Sequence, residues 1–126
     1  MYRVLKPHGF LIFSISHPCF LTQGISWEKN EHGEAQRLKV GNYFSKAHYI
    51  DNWKFTLSPE AHQLPEFSVP YFPKTLSEYL NTLIDVGFHI EHIEEPVPTA
   101  EACKKFPSLT RWKTHAAIFL QVKAKK

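Results

Sequence analysis

Residues 3–19 read RVLKPHGFLIFSISHPC, and this stretch decides the fold. Arg3-Val4-Leu5-Lys6 is basic and has the character of a helix ending. Pro7-His8-Gly9 breaks it, because proline disfavours helix at the residue before it and glycine supplies a permissive turn position. Phe10–Ile15 is then almost unbroken apolar, which predicts a strand buried on both faces. Ser16-His17-Pro18-Cys19 ends that strand, with Pro18 holding His17 extended. Polar groups at the carboxyl end of a buried strand lie where open α/β sheets bind their ligands, so a site is expected to begin here.

Outward from this stretch the totals set bounds. The chain has 126 residues, 43% hydrophobic and 14% aromatic, with a formal net charge of +3. That length suits one domain, with apolar surface enough to offset the entropy of ordering. The basic residues are spread along the chain apart from Lys123, Lys125 and Lys126, a solvating tail and not a nucleic-acid footprint. No run reaches membrane-spanning length, and the short apolar amino end, broken by Pro7 and Gly9, does not suit a signal peptide. With two cysteines, Cys19 and Cys103, the sequence predicts a cytoplasmic protein with free thiols and no membrane partner.

Between residues 20 and 73 the pattern loosens into what reads as a single insertion. Gln36–Tyr43 and His48–Leu57 are expected to be short strands forming a hairpin, and Ser58–Pro73 a proline-punctuated loop. The segment is rich in rings, among them Trp27, Tyr43, Phe44, Tyr49, Trp53, Phe55, Phe67, Tyr71 and Phe72. Long insertions in compact domains are often lids or binding loops. The same rings would equally fill a small satellite core, and on rings alone that reading comes first.

Beyond the insertion the signals sharpen. Thr75 and Glu78 make a capping box, and Leu76, Tyr79, Leu80, Leu83 and Ile84 repeat at helical spacing, predicting a helix over Leu76–Val86 closed by Gly87. Phe88–Glu94 reads as a strand near a sheet edge. Pro98–Thr114 is a polar connector with a helical turn at Ala100–Phe106. Ala116–Val122 is the last, nearly continuous apolar strand. Two strands thus require cover on both faces, yet the sequence offers one convincing amphipathic helix.

Two of these stretches resemble the carboxyl-terminal half of class I S-adenosylmethionine-dependent methyltransferases, of the type 11-like group. Arg3–Leu11 is similar to the family's RVLKPGG and the start of its fifth strand, with His8 in place of the first glycine. Leu76–Phe88 is similar to the helix and Gly-Phe turn that lead into its sixth strand. The resemblance implies a partial Rossmann-like α/β fold over residues 1–126. It would hold the fifth, seventh and sixth strands, with Ala116–Val122 antiparallel between the other two, one main helix and an aromatic-rich insertion at about 20–73.

The cofactor implied at family level is S-adenosylmethionine. The family holds it on a glycine-rich loop after the first strand, and none of Gly9, Gly24, Gly33, Gly41 and Gly87 are spaced as G-x-G. No cofactor-binding residue is therefore assigned. The chain is expected to be a substrate-side portion, inactive unless complemented by a cofactor-binding half. The alternative is a non-catalytic module that dimerises through the open edge of Phe10–Ile15.

By the same resemblance a base belongs beyond the strand ends, and His17 is best placed for it, since imidazole titrates in the useful range. The simpler role for His17 is a hydrogen bond to the following loop. Cys19 is a pocket neighbour or a small buried apolar residue. Tyr43, Trp53, Tyr71 and Phe72 are candidates for gripping a planar small-molecule acceptor. His17-x-Cys19 also raises zinc, but no close pair of ligands accompanies Cys103 and no metal site is assigned. Thr110–Lys113 reads as connector.

Overall fold

The computed structural model of the chain describes residues 1–54 and 63–126. The elements follow in the order β1 (Phe10–Ser16), β2 (Ser26–Lys29), β3 (Ala35–Lys39), β4 (Tyr49–Trp53) and β5 (Phe67–Tyr71), then α1 (Leu76–Asp85), β6 (His89–Glu94), α2 (Ala100–Lys105), α3 (Thr110–His115) and β7 (Phe119–Lys125). Three sheets result: β1-β7-β6, β2-β3 and β4-β5. In the first, β7 runs antiparallel between β1 and β6, which makes the two flanking strands parallel to each other. The last strand therefore sits between the other two, as expected.

Burial on this sheet is one-sided. Leu120, Val122 and Ala124 are 2%, 1% and 0% exposed, and they face Ile15, Phe13 and Leu11 across β1. The opposite face carries Phe10 and Ile12, which are 56% and 62% exposed. The expectation of strands buried on both faces is thus corrected for Phe10–Ile15 and for the last strand. The last strand also runs three residues later than expected, Phe119–Lys125, and alternates. The physical reason is the shortage of helical cover: α1 packs beside β6, and the other face of β1 is left open with a charged side chain beside it. Lys123 lies 5.2 Å from the Phe10 ring centre while its ammonium pairs with Glu91 at 2.9 Å. That lysine holds the Glu91 carboxyl below its usual range.

The turns explain how the elements are joined. His8, where the sequence departs from RVLKPGG, has φ 62°, the left-handed region that favours glycine. Gly87 has φ 97° and closes α1, and a Cβ there would stand 3.1 Å from the Tyr2 hydroxyl. At the other end of α1 the capping box is complete. Thr75 Oγ1 accepts from the Glu78 amide at 3.3 Å, and Glu78 Oε2 accepts from the Thr75 amide at 2.7 Å. Glu78 also pairs with Lys46. Those bonds, that from Lys46 first, lower the Glu78 carboxyl from 4.5 to about 2.

The strand pairing between residues 20 and 73 differs from the expected hairpin. Among the described residues, Gln36–Tyr43 and His48–Leu57 do not pair with each other. β3 pairs with β2, across a turn in which the Asn30 side chain accepts from the amides of His32 and Glu34. β4 pairs with β5, which lies inside the expected proline loop. Pro70 is compatible with that strand because a two-stranded ribbon has only edges. Residues 55–62, which include the end of one expected strand, Phe55 and the start of the loop, lie outside the described residues. Further on, the connector Pro98–Thr114 contains α3 as well as the expected turn. Arg111 and Trp112 anchor it, with Arg111 5.2 Å from the Trp27 ring centre and Trp112 edge-on to Trp27 at 5.0 Å. Among the described residues no helix is long and apolar enough to cross a membrane.

Candidate functional site

The carboxyl ends of β1 and β6 point the same way, separated by β7, so about 9–10 Å lies between them. His17 and Glu95 leave those two ends and close the gap. The His17 amide first continues the ladder by donating to the Ile118 carbonyl at 2.8 Å. The side chain then turns inward and is 1% exposed. Its Nδ1 accepts from the Cys19 amide at 3.2 Å, so Nε2 carries the proton and donates to Glu95 Oε1 at 2.6 Å. Both ring nitrogens are engaged. The Glu95 side chain, 55% exposed, is the solvent-facing end of the bridge.

The loop after His17 carries the site toward α1. Cys19 Sγ lies 3.8 Å from the Tyr43 hydroxyl, which also accepts from the Leu76 amide at 2.9 Å. That amide is one of the donors a helix start leaves unpaired, so Tyr43 caps α1 from outside its own sequence neighbourhood. Burial chiefly raises the Tyr43 phenol above its ordinary value, against the opposing bond from Leu76.

Beside this loop, Leu21–Gln23 and the β4-β5 ribbon enclose an aromatic groove. One lobe of about 470 Å³ begins at Ser16 and is walled by Thr22, Tyr49, Asp51, Trp53 and Tyr71. A second, narrower cleft shares Leu21, Thr22, Gln23, Tyr49 and Tyr71 and adds Tyr43 and Lys74. Tyr49 and Tyr71 are register partners whose rings sit 5.0 Å apart at 30°. Burial raises both phenols, so they remain protonated donors at neutral pH. The Trp53 indole donates to Asp51 Oδ2 at 2.9 Å, which fixes the ring at the groove wall.

The structure therefore brings His17, Cys19 and Tyr43 into one hydrogen-bonded run and places Tyr43, Tyr71 and Trp53 around the groove. Phe72 is not among the lining side chains; it packs on His48 with ring centres 4.6 Å apart and is 54% exposed. Sequence reasoning missed Glu95, Thr22 and Asp51. For Glu95 a signal existed: His17-Pro18 and Glu95-Pro96 are both a polar residue held extended by proline at the end of a strand. Among the described residues no group of three or more His, Cys, Asp or Glu side chains is placed to hold a metal ion.

The glycines test whether these residues fit S-adenosylmethionine. A Cβ at Gly9 would meet the Lys6 carbonyl at 2.9 Å, and one at Gly24 the Gly41 backbone at 2.9 Å. Gly33 and Gly87 serve a hairpin turn and a helix end. Each close approach is taken up by the chain's own backbone or by Tyr2. These residues do not form a cradle for the cofactor.

No protein-family model matches the chain. It is 29% identical over 97 residues, 74% of its length, to an uncharacterised protein of Haemophilus influenzae, of which this is 33%. Among solved structures, a protein of Listeria monocytogenes assigned as an S-adenosylmethionine-dependent methyltransferase superposes with a TM-score of 0.71 and 28% identity, covering 99% of this chain and 51% of that one. An S-adenosylmethionine-dependent methyltransferase from Mesorhizobium loti gives 0.68 and 26%, covering 99% and 52%. The chain thus has, in part, a class I S-adenosylmethionine-dependent methyltransferase-like fold, Rossmann-like and α/β. It spans about half the length of those two proteins and a third of the curated relative it matches.

Proposed function

We propose that this chain is the acceptor-side, carboxyl-terminal portion of an S-adenosylmethionine-dependent methyltransferase, and that it acts only together with a cofactor-binding portion of the fold. In this reading residues 1–126 form one partial domain in which β1, β7 and β6 are the fifth, seventh and sixth strands. The segment at about 20–73 is an insertion that builds the acceptor site. The observation that carries the reading is the groove of Tyr49, Tyr71 and Trp53 opening beside the carboxyl end of β1, where open α/β sheets take their ligands. Tyr43 and Tyr71 shape its narrow end, Cys19 holds Tyr43, and Phe72 braces the outside of the ribbon. His17 belongs to the site as the group that orients Glu95, because both its nitrogens are already bonded. The acceptor is a planar small molecule.

Calorimetric titration with S-adenosylhomocysteine tests the reading. The chain alone is expected not to bind. Joined to the amino-terminal half of the Listeria protein, it is expected to bind and to consume S-adenosylmethionine when an acceptor fills the groove. Tight binding by the chain alone would refute the division of labour. A second reading, a non-catalytic module that dimerises, is favoured by the exposed Phe10 and Ile12 on edge strand β1. A dimeric mass, with no binding gained by the fused protein, would support it instead.

A further inference from the structure

Tyr49, Asp51 and Trp53 alternate along β4 and therefore share one face of the ribbon, and all three line the larger lobe together with Tyr71. Asp51 brings the charge there. No lysine, arginine or histidine is among the described residues that line this lobe, and Lys74 lies in the narrower cleft. Among the described residues the Asp51 carboxylate accepts only from the Trp53 indole, through Oδ2, which leaves Oδ1 without a partner. Burial, and after it the Asp51 charge, raises the Tyr49 phenol; the same charge is among the smaller causes, after burial, that raise the Tyr71 phenol. The carboxylate is thus felt by both rings, in a chain whose net charge is +3. The lobe is within the range of small-molecule sites.

We infer that the larger lobe takes an aryl-alkyl ammonium, with its positive end at Asp51 Oδ1 and its ring against Tyr49, Tyr71 and Trp53. The inference rests on the reading of the groove as the acceptor site and names the acceptor's class, a planar molecule that carries a cationic amine. Tyrosine and tryptophan walls supply area for any flat ring and discriminate little between rings, so the charge decides. A carboxylate among rings attracts an ammonium twice over. It accepts a charge-assisted hydrogen bond, and the negative ring faces beside it favour the same cation. A neutral ligand forgoes both gains, and an anion meets a like charge that no lining cation offsets.

The test is equilibrium dialysis of the full chain against probes of similar shape: 2-naphthylmethylamine, a cation at neutral pH, 2-naphthylmethanol, which is neutral, and the anion 2-naphthoate. The wild-type chain is expected to bind the amine about tenfold more tightly than the alcohol, and the naphthoate least. Asp51→Asn keeps an oxygen for the Trp53 indole and removes the charge. It is expected to reduce the preference for the amine to about twofold, the share left to the rings, and to leave the affinity for the alcohol unchanged. Equal affinity for amine and alcohol, tighter binding of the naphthoate, a preference undiminished in Asp51→Asn, or no binding of any probe would overturn the inference. The wild-type comparison decides the charge of the ligand without any variant. No probe involves the cofactor, so a preference for the amine, with no S-adenosylhomocysteine binding gained by the fused protein, would refute the methyltransferase reading and uphold the ammonium site.

Discussion

The sheet β1-β7-β6 and the two ribbons β2-β3 and β4-β5 are held in different ways. Among the described residues the largest fully buried side chains belong to the sheet: Leu120 and Val122 on β7, and His17 just past β1. None of the residues in β2 to β5 is buried. The ribbons are held by ring contacts, Trp27 on Trp112 and Tyr49 on Tyr71, and by side-chain bonds such as Trp53 to Asp51. The lesson is a division between burial and shape. A region that contributes little apolar burial is free to present a groove, and low local stability is the ordinary condition of such regions.

The largest expected effect sharpens that division directly. Leu120→Ala should cost about 3 kcal/mol in chemical denaturation, since it opens a cavity where the sheet is most tightly packed. Trp53→Ala, on a side chain 48% exposed, should cost about 1 kcal/mol or less. Comparable losses for the two variants would break the comparison. Next in size, His8→Gly should stabilise the chain by about 1 kcal/mol, because it relieves a left-handed backbone at an exposed turn that begins the sheet. A loss of stability on that substitution would mean that the imidazole makes a contribution of its own.

The smallest effect concerns the seam between the two regions, where Lys46 from the segment before β4 meets Glu78 on α1. The Glu78 carboxyl is depressed from 4.5 to about 2. Its contribution is therefore complete above pH 4.5 and is lost as pH falls through about 2. Amide resonances at the start of α1 should shift with a midpoint near pH 2 in the wild-type chain. In Glu78→Gln that transition should disappear. A midpoint near 4.5 would show that neither Lys46 nor the cap acts on Glu78.

Much of the sheet was legible in sequence because its signals are local. The capping box at Thr75 and Glu78, the glycine after α1 and the apolar run of β1 each depend on neighbours in the chain. The over-reading was local too: a continuous apolar run implies two covered faces, and nothing within Phe10–Ile15 reveals that one of them stays more than half exposed at Phe10 and Ile12, with Lys123 from the far end of the chain beside it. In the ribbons the strands were partly visible, but their pairing was not. β4 had to choose between β3 and a proline-containing partner, and its Tyr49–Tyr71 ring contact favours the latter. Of the candidate site, His17, Cys19, Tyr43, Trp53 and Tyr71 were readable as chemistry-bearing residues near strand ends or in the insertion. Phe72 was read the same way and packs outside the groove.

Sequence by itself determined where β1, α1, β6 and β7 begin and end to within about three residues, and that polar chemistry gathers after Ile15. These follow from periodicity, turns and caps, whose causes lie within a few residues. Only the tertiary structure decided that His17 is spent on Glu95, 78 residues away, and that Tyr43 caps α1 across 33. It also decided that Tyr49 and Tyr71 stack across one ribbon. Hydrogen-bond satisfaction is a property of which groups meet in space, and no local pattern records it.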